Sequence, residues 1–356
     1  MTIIKPKNTT TLETKKTSSN ILKIFFVTFQ IIFGYDFGFI KYRSTRHKII
    51  IKLIIATLHF VSGIAYTLLI SPDLHLFYVI WYFVFIVESY SYILTLLLAS
   101  EQHTFQKFLE HLLWIDSELK VDNSSNYCEL KILLGCIISL VWKAWSGIRN
   151  VQLLSNLFAQ ILYFFIFLPL EIPFVILFFV FRATSIRLVA LKKILDDEPK
   201  KAQILYKSLI ESVGSVKKSF NSIFIVTLFA NIPSMMTLSY EIVRDLKTMG
   251  FNNLINYTWN CIAAFTFLLT LFAPALAAET LSTEVEQIKI TLQDSLIQEN
   301  DEIRIQDIKR FISYIEARPF KLYVLRIIPL DASFVVMSLN FSITYLIVIL
   351  QLTHIY

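Results

Sequence analysis

Apolar residues gather into seven long stretches, at about 49–70, 75–99, 131–150, 156–181, 220–243, 254–279 and 332–353. Each is long enough to cross a hydrocarbon core of ~30 Å as a helix rising ~1.5 Å per residue. The pattern predicts an all-α membrane protein with seven transmembrane helices. An eighth stretch, Ile21 to Phe33, is too short and too interrupted to span, so it reads as an interfacial or re-entrant amphipathic helix. It is not expected to be a cleaved signal peptide, because a polar leader of about twenty residues precedes it and no small-residue cleavage site follows.

Outside the spans the pattern changes to an amphipathic one. Thr280 to Gln298 places Leu281, Val285, Ile288, Leu292 and Leu296 three to four residues apart, with Glu284, Glu286, Lys289 and Asp294 between them. This predicts a helix that carries the sixth span out of the membrane. Ser185 to Leu195 and Ala202 to Val213 show the same spacing, punctuated by Pro199. Such apolar stripes cover either one another within one chain or a second copy beneath the membrane.

The last span is unusual. Ala332 to Leu352 is apolar except for a few positions, of which Asn340, Thr344 and Gln351 step by four and seven and so share one helix face. A polar stripe on an otherwise aliphatic helix faces either a water-filled pore or a neighbouring helix to which it hydrogen-bonds.

Composition agrees with a membrane protein: 55% hydrophobic and 17% charged residues, with 31 Phe, 16 Tyr and only 7 Gly, and a mean hydropathy of +0.61. Charge sets the expected orientation. Ten basic residues precede or open the first span, through Lys52. Nine lie between Arg182 and Lys218, seven between Lys289 and Arg326, and three more are Lys107, Lys120 and Lys131. The other side holds Lys143, Arg149, Arg244 and Lys247. The positive-inside rule therefore puts the N-terminus in the cytoplasm and the C-terminus outside. That is the reverse of a G-protein-coupled receptor, whose Asp-Arg-Tyr and Asn-Pro-x-x-Tyr markers are also missing. Asn256-Tyr257-Thr258 then becomes a glycosylation sequon on the outer side. The cysteines Cys128, Cys136 and Cys261 lie at or within spans and indicate no disulfide framework.

Enzyme chemistry finds no motif. The six histidines form no metal box, and there is no Gly-x-Ser-x-Gly, Cys-x-x-Cys or Gly-rich phosphate loop. No cofactor is expected. The net charge of +6 suits an inner face meeting anionic lipid, so no nucleic acid is expected as a partner. His59, Glu88, Lys143 and Glu171 place ionisable groups within spans; Glu88 and Lys143 either pair with each other or meet a polar ligand. Glu171 lies between Pro169 and Pro173, which are expected to bend the fourth span, and Asn231-Ile232-Pro233 is expected to break the fifth. Aromatic and polar residues crowd the outer halves of spans two to six: Tyr82, Trp142, Trp145, Gln160, Tyr163, Asn231, Thr237, Tyr240, Glu241, Tyr257 and Trp259. Together they outline a candidate small-molecule pocket; singly, each fits an interfacial aromatic belt.

Several of these features meet in one family. Thr344-Tyr345, five hydrophobic residues and Gln351 resemble the Thr-Tyr-five-hydrophobics-Gln-Phe signature of insect gustatory receptors. Ala317-Arg318-Pro319 and Leu330-Asp331-Ala332-Ser333-Phe334 resemble the segments that flank it, and topology and chain length fit too. Leu352 stands where the signature has Phe. The resemblance implies an insect chemoreceptor channel fold: a homo- or heterotetrameric, ligand-gated, non-selective cation channel in the plasma membrane of sensory-neuron dendrites. Residues 1–48 would be a cytoplasmic segment with the interfacial helix, 49–279 the ligand-binding spans, 280–331 the cytoplasmic anchor, and 332–356 the pore helix with a short outer tail. The pore would be lined by Asn340, Thr344, Ile347, Val348, Gln351 and Leu352, with Gln351 meeting permeant ions and Leu352 forming a dewetting constriction. An acid follows Thr-Tyr in sugar-sensing members; Leu346 does here, which resembles the bitter-type members and implies a plant-compound tastant as ligand. The alternatives are an odorant-type subunit that needs a co-receptor, and a transporter.

Overall fold

The computed structural model describes residues 23–28, 30–35, 37–40, 44–69, 86–94, 96, 103–119, 131, 134–135, 137–138, 141, 157–249, 254–320, 323–324 and 328–352. Their regular elements are α1 (Thr45–Leu69), α2 (His103–Glu118), α3 (Leu157–Lys192), α4 (Pro199–Met249), α5 (Leu254–Gln298), α6 (Glu302–Ala317), β1 (Tyr323–Val324), β2 (Ile328–Pro329) and α7 (Ala332–Leu352). A short apolar helix, Lys23–Phe33, precedes α1, and residues 86–94 are also helical. The apolar windows at 156–181, 220–243, 254–279 and 332–353 fall on α3, α4, α5 and α7. Those at 75–99 and 131–150 lie largely outside the described residues. Among the described residues, Thr45–Ala65 and Glu171–Lys192 are long and apolar enough to cross a membrane, and Ala332–Val348 is a shorter apolar helix.

Apolar windows and amphipathic stretches share single long helices. The Thr280–Gln298 stripe continues the apolar window at 254–279 without interruption as α5. Pro199 opens α4, where a missing N–H is harmless. One expectation is corrected: α4 stays helical through Asn231-Ile232-Pro233. A proline removes one backbone hydrogen bond, and the rest of a 51-residue helix outweighs that local defect. α3 likewise runs through Pro169 and Pro173.

An N-terminal aromatic hairpin explains how α3 tolerates its prolines. Pro173 has no N–H for the carbonyl of Pro169, four residues earlier. The Tyr35 hydroxyl donates to that carbonyl instead, at 2.9 Å. Tyr35 and Phe37 are each 1% exposed, and lie between Gly34 and Gly38, two glycines at positive φ. At Gly34 a side chain would be strained and would press on Ile55 and Leu96. The Tyr92 hydroxyl donates to the Phe33 carbonyl at 2.6 Å. Phe26 sits among Phe37, Phe105 and Phe179, with ring centroids 5.3, 4.6 and 6.2 Å away. The segment read as interfacial or re-entrant therefore has one face inside the bundle and one outside, where Ile24 and Ile31 are exposed.

A buried ion pair joins α2 to α3. Arg187 lies on the fully buried line Val180, Ala183, Leu191. Its Nε and Nη2 donate to the two oxygens of Asp116, at 3.0 and 2.6 Å, and Nη1 donates to the Ala183 carbonyl at 2.9 Å. Both side chains are almost fully enclosed.

The amphipathic helices cover one another. Leu205, Tyr206, Leu209 and Val213 of α4 are buried, as are Leu281, Val285, Ile288 and Leu292 of α5 and Ile308, Phe311 and Ile315 of α6. The amphipathic stripe seen in the sequence is thus satisfied within one chain. Lys289–Glu316 at 3.0 Å ties α5 to α6; its hydrogen bond to Glu316 raises the Lys289 pKa. Asp301 caps α6 by accepting from Ile303 N–H at 3.1 Å.

Tyr206 is the exception in this layer, because its buried hydroxyl has no hydrogen-bond partner. Its ring lies 5.3 Å from Phe311 and 6.2 Å from Tyr314. Burial first, and Tyr314 second, push the phenol well above its usual pKa. Folding therefore favours the neutral phenol. This contribution is intact below the unfolded value of ~10 and is lost as pH climbs toward the folded value. Tyr206→Phe keeps the ring and removes the unsatisfied group. It is expected to raise stability by ~1 kcal/mol at neutral pH and to reduce the loss of stability above pH ~10. Thermal unfolding of both proteins at the two pH values checks this, and a destabilised Phe variant would mean that the hydroxyl has a partner after all.

Candidate functional site

Asp331 sets the start of α7. Its Oδ1 accepts from the Ser333 N–H at 2.9 Å and from the Ser333 hydroxyl, satisfying a donor that the first helical turn leaves open. Leu330 and Phe334 on either side are buried, and the Phe334 ring meets Phe272 of α5 edge-on at 6.3 Å. The Leu330-Asp331-Ala332-Ser333-Phe334 segment is thus a cap with two apolar anchors. It follows the antiparallel ladder Tyr323↔Pro329 and Val324↔Ile328. The other flanking segment is also an end device: the Arg318 N–H bonds the last carbonyls of α6, while its guanidinium meets Glu211 at 3.3 Å and lies over the Tyr314 ring.

α7 packs on α4 and α5, and one face does the packing. Phe334 and Ser342 are buried, and Ser338 and Leu346 are partly so. These positions step by four along one side. The Ser342 hydroxyl donates to the Ser338 carbonyl at 2.8 Å and lies 3.7 Å from the Met235 sulfur of α4. The opposite face is uncovered within the chain: Asn340, Thr344 and Gln351 are exposed, and so are Ile347 and Val348, at 49% and 42%. Among the described residues, the polar stripe has no hydrogen bond to a neighbouring helix. Thr344 turns its hydroxyl onto the Asn340 carbonyl at 2.8 Å. That leaves the carboxamides of Asn340 and Gln351 as the strong polar groups on this face. Tyr345 of the signature is also exposed, its ring 4.5 Å from Phe341. Leu352 ends α7; its side chain lies outside the described residues.

Most of the candidate pocket falls outside what is described. Tyr82, Trp142 and Trp145 lie outside the described residues altogether. Gln160 and Tyr163 sit on α3, Thr237 and Glu241 on α4, and Asn256, Tyr257 and Trp259 on α5, with their side chains outside the described set. Asn231 and Tyr240 are both buried on α4. They lie nine residues apart along that helix.

Of the ionisable residues in the apolar windows, His59, Glu88 and Glu171 are buried, and Lys143 lies outside the described residues. The His59 ring sits 4.3 Å from that of Tyr92. Among the described residues, no group of His, Cys, Asp and Glu side chains is placed to hold a metal ion. Sequence reasoning missed Tyr35, Tyr92, Asp116 and Arg187 as organising residues. The signal for Arg187 was present: a cation on a line of apolar residues at helical spacing must find a partner.

No protein-family model and no curated protein sequence matches the chain. Among solved structures, the insect olfactory receptor OR5 from Machilis hrabei matches with a TM-score of 0.58 at 12% identity, over 94% of this chain and 99% of that one. The same receptor in complex with eugenol matches with a TM-score of 0.58 at 12% identity, over 95% and 97%. At that identity the likeness is one of fold, and over nearly its whole length this chain has the fold of an insect olfactory receptor.

Proposed function

We propose that the chain is a gustatory receptor: one subunit of a tetrameric, ligand-gated, non-selective cation channel in the plasma membrane of taste neurons, opened by a small tastant of the bitter plant-compound class. The observation that carries this is the outward polar face of α7. A helix seated by one side on its own bundle, with Asn340, Thr344 and Gln351 on the uncovered side, is suited to line a water-filled axis shared with other copies. The fold likeness to an insect olfactory receptor solved with a small molecule supports the same reading. In it, the N-terminus is cytoplasmic, the C-terminus outside, and Asn256 glycosylated. Gln351 meets ions, Ile347, Val348 and Leu352 form the constriction, and the aromatic cluster from Tyr82 to Trp259 holds the ligand.

A second reading, an odorant-type subunit that conducts only with a co-receptor, is favoured by the olfactory identity of the neighbours. The two separate on whether the chain conducts when expressed alone. For the pore, Gln351→Glu is expected to change cation permeability or block severalfold while leaving ligand potency within about twofold. Patch-clamp recording checks this. A shift in the dose-response midpoint with unchanged permeability would place Gln351 in packing or ligand contact instead.

A further inference from the structure

We propose that the cytoplasmic ends of the Lys23–Phe33 helix and α1 together form a docking surface for anionic phospholipid headgroups of the inner leaflet. The inference rests on the membrane orientation proposed above and adds the lipid chemistry. Its first support is an apolar surface that nothing in the described chain covers. In Thr45–Ala65 only 22% of the most apolar window is buried, against 72% in Glu171–Lys192. Ile50, Leu53, Ile54 and Leu58 are 53–61% exposed, and Ile24 and Ile31 of the preceding helix 65% and 63%. An exposed aliphatic surface of this extent calls for a partner, and acyl chains fit its lack of polar groups.

The second support is the charge at one end of that surface. Lys23, Arg46 and His47 are exposed there and Lys48 is partly so, with no acid in the first turn of α1. The packing places both helix ends on the same side. Phe26, near the start of the short helix, meets Phe105 at the start of α2, while Phe33 at its other end accepts from Tyr92. The short helix thus runs inward from the α2 side. Lys52 is committed elsewhere, donating to the Leu96 carbonyl at 2.6 Å, seven residues before α2. Arg46 lies ~9 Å further along α1 toward its N-terminal end. Basic side chains at the rim of an acyl-facing surface match an anionic headgroup in both charge and depth.

The full chain reconstituted in nanodiscs of mixed phosphatidylcholine and phosphatidylserine tests this by native mass spectrometry of the lipids it retains. The wild-type protein is expected to retain phosphatidylserine in excess of the bulk ratio. Each basic side chain at such a surface is worth about fivefold in preference, so Lys23→Gln with Arg46→Gln is expected to lower the excess by roughly 25-fold. Arg46→Gln alone should lower it about fivefold. Lys23→Arg with Arg46→Lys should keep it, which separates charge from misfolding. Lys207→Gln with Lys309→Gln, the same charge change in the inner helical layer, should also keep it. No excess in the wild type, or an excess that the first pair leaves intact, or one that the control pair abolishes equally, overturns the proposal. The measurement needs neither ligand nor current, so its failure would leave the channel reading standing.

Discussion

Replacing Arg187 with Met is expected to destabilise the protein by ~3–5 kcal/mol, a large share of the ~5–15 kcal/mol that holds a typical domain folded. The substitution strands the Asp116 carboxylate, which is almost fully enclosed and loses both of its guanidinium hydrogen bonds. An unpaired charge in such a site has neither water nor a partner. Asp116→Leu alone should cost a comparable amount, because it strands the guanidinium. Combining the two should recover much of the loss, since an apolar pair of similar size removes the desolvation cost altogether. Unfolding curves and the monodisperse yield of the detergent-solubilised proteins check the series. If Arg187→Met alone stays within ~1 kcal/mol of wild type, water reaches the pair and its enclosure is only apparent.

A second large effect is expected at Phe26. Truncation to Ala should cost ~3–5 kcal/mol, because the ring is 2% exposed and sits among Phe37, Phe39, Phe105 and Phe179. Ile24→Ala, two residues away on the outward face, should cost less than ~0.5 kcal/mol, because that side chain is 65% exposed. The contrast separates two accounts of the N-terminal segment. A helix merely lying at the interface would lose similar, small amounts from either truncation. A helix docked into the bundle loses stability only from its inner face. Equal effects at the two positions, measured by the same unfolding curves, would undo the aromatic hairpin as a structural element.

Much of the architecture was legible in the chain. The apolar windows located α3, α4, α5 and α7, and the three-to-four spacing of Leu281, Val285, Ile288 and Leu292 announced the inner half of α5. The stripe of Asn340, Thr344 and Gln351 was also readable, because helix geometry alone fixes which residues share a side. What misled was the weight given to proline. Asn231-Ile232-Pro233 was expected to break a helix that runs on, since a local rule about one missing N–H does not count the long-range packing that holds the rod on both sides of it.

The sequence by itself determined that the chain is helical and apolar, where its amphipathic inner segments lie, and that one polar line marks the last helix. Those are consequences of composition and period, which need no knowledge of neighbours. Tertiary structure decided three further things. It turned the face bearing Asn340 and Gln351 outward by spending the Phe334 and Ser342 side on α4 and α5. It paired Arg187 with Asp116 across 71 residues, and it supplied the Tyr35 hydroxyl to a carbonyl 134 residues away that a proline had left open. Burial and pairing of this kind depend on which surfaces meet, and that is a property of the folded chain rather than of any segment within it.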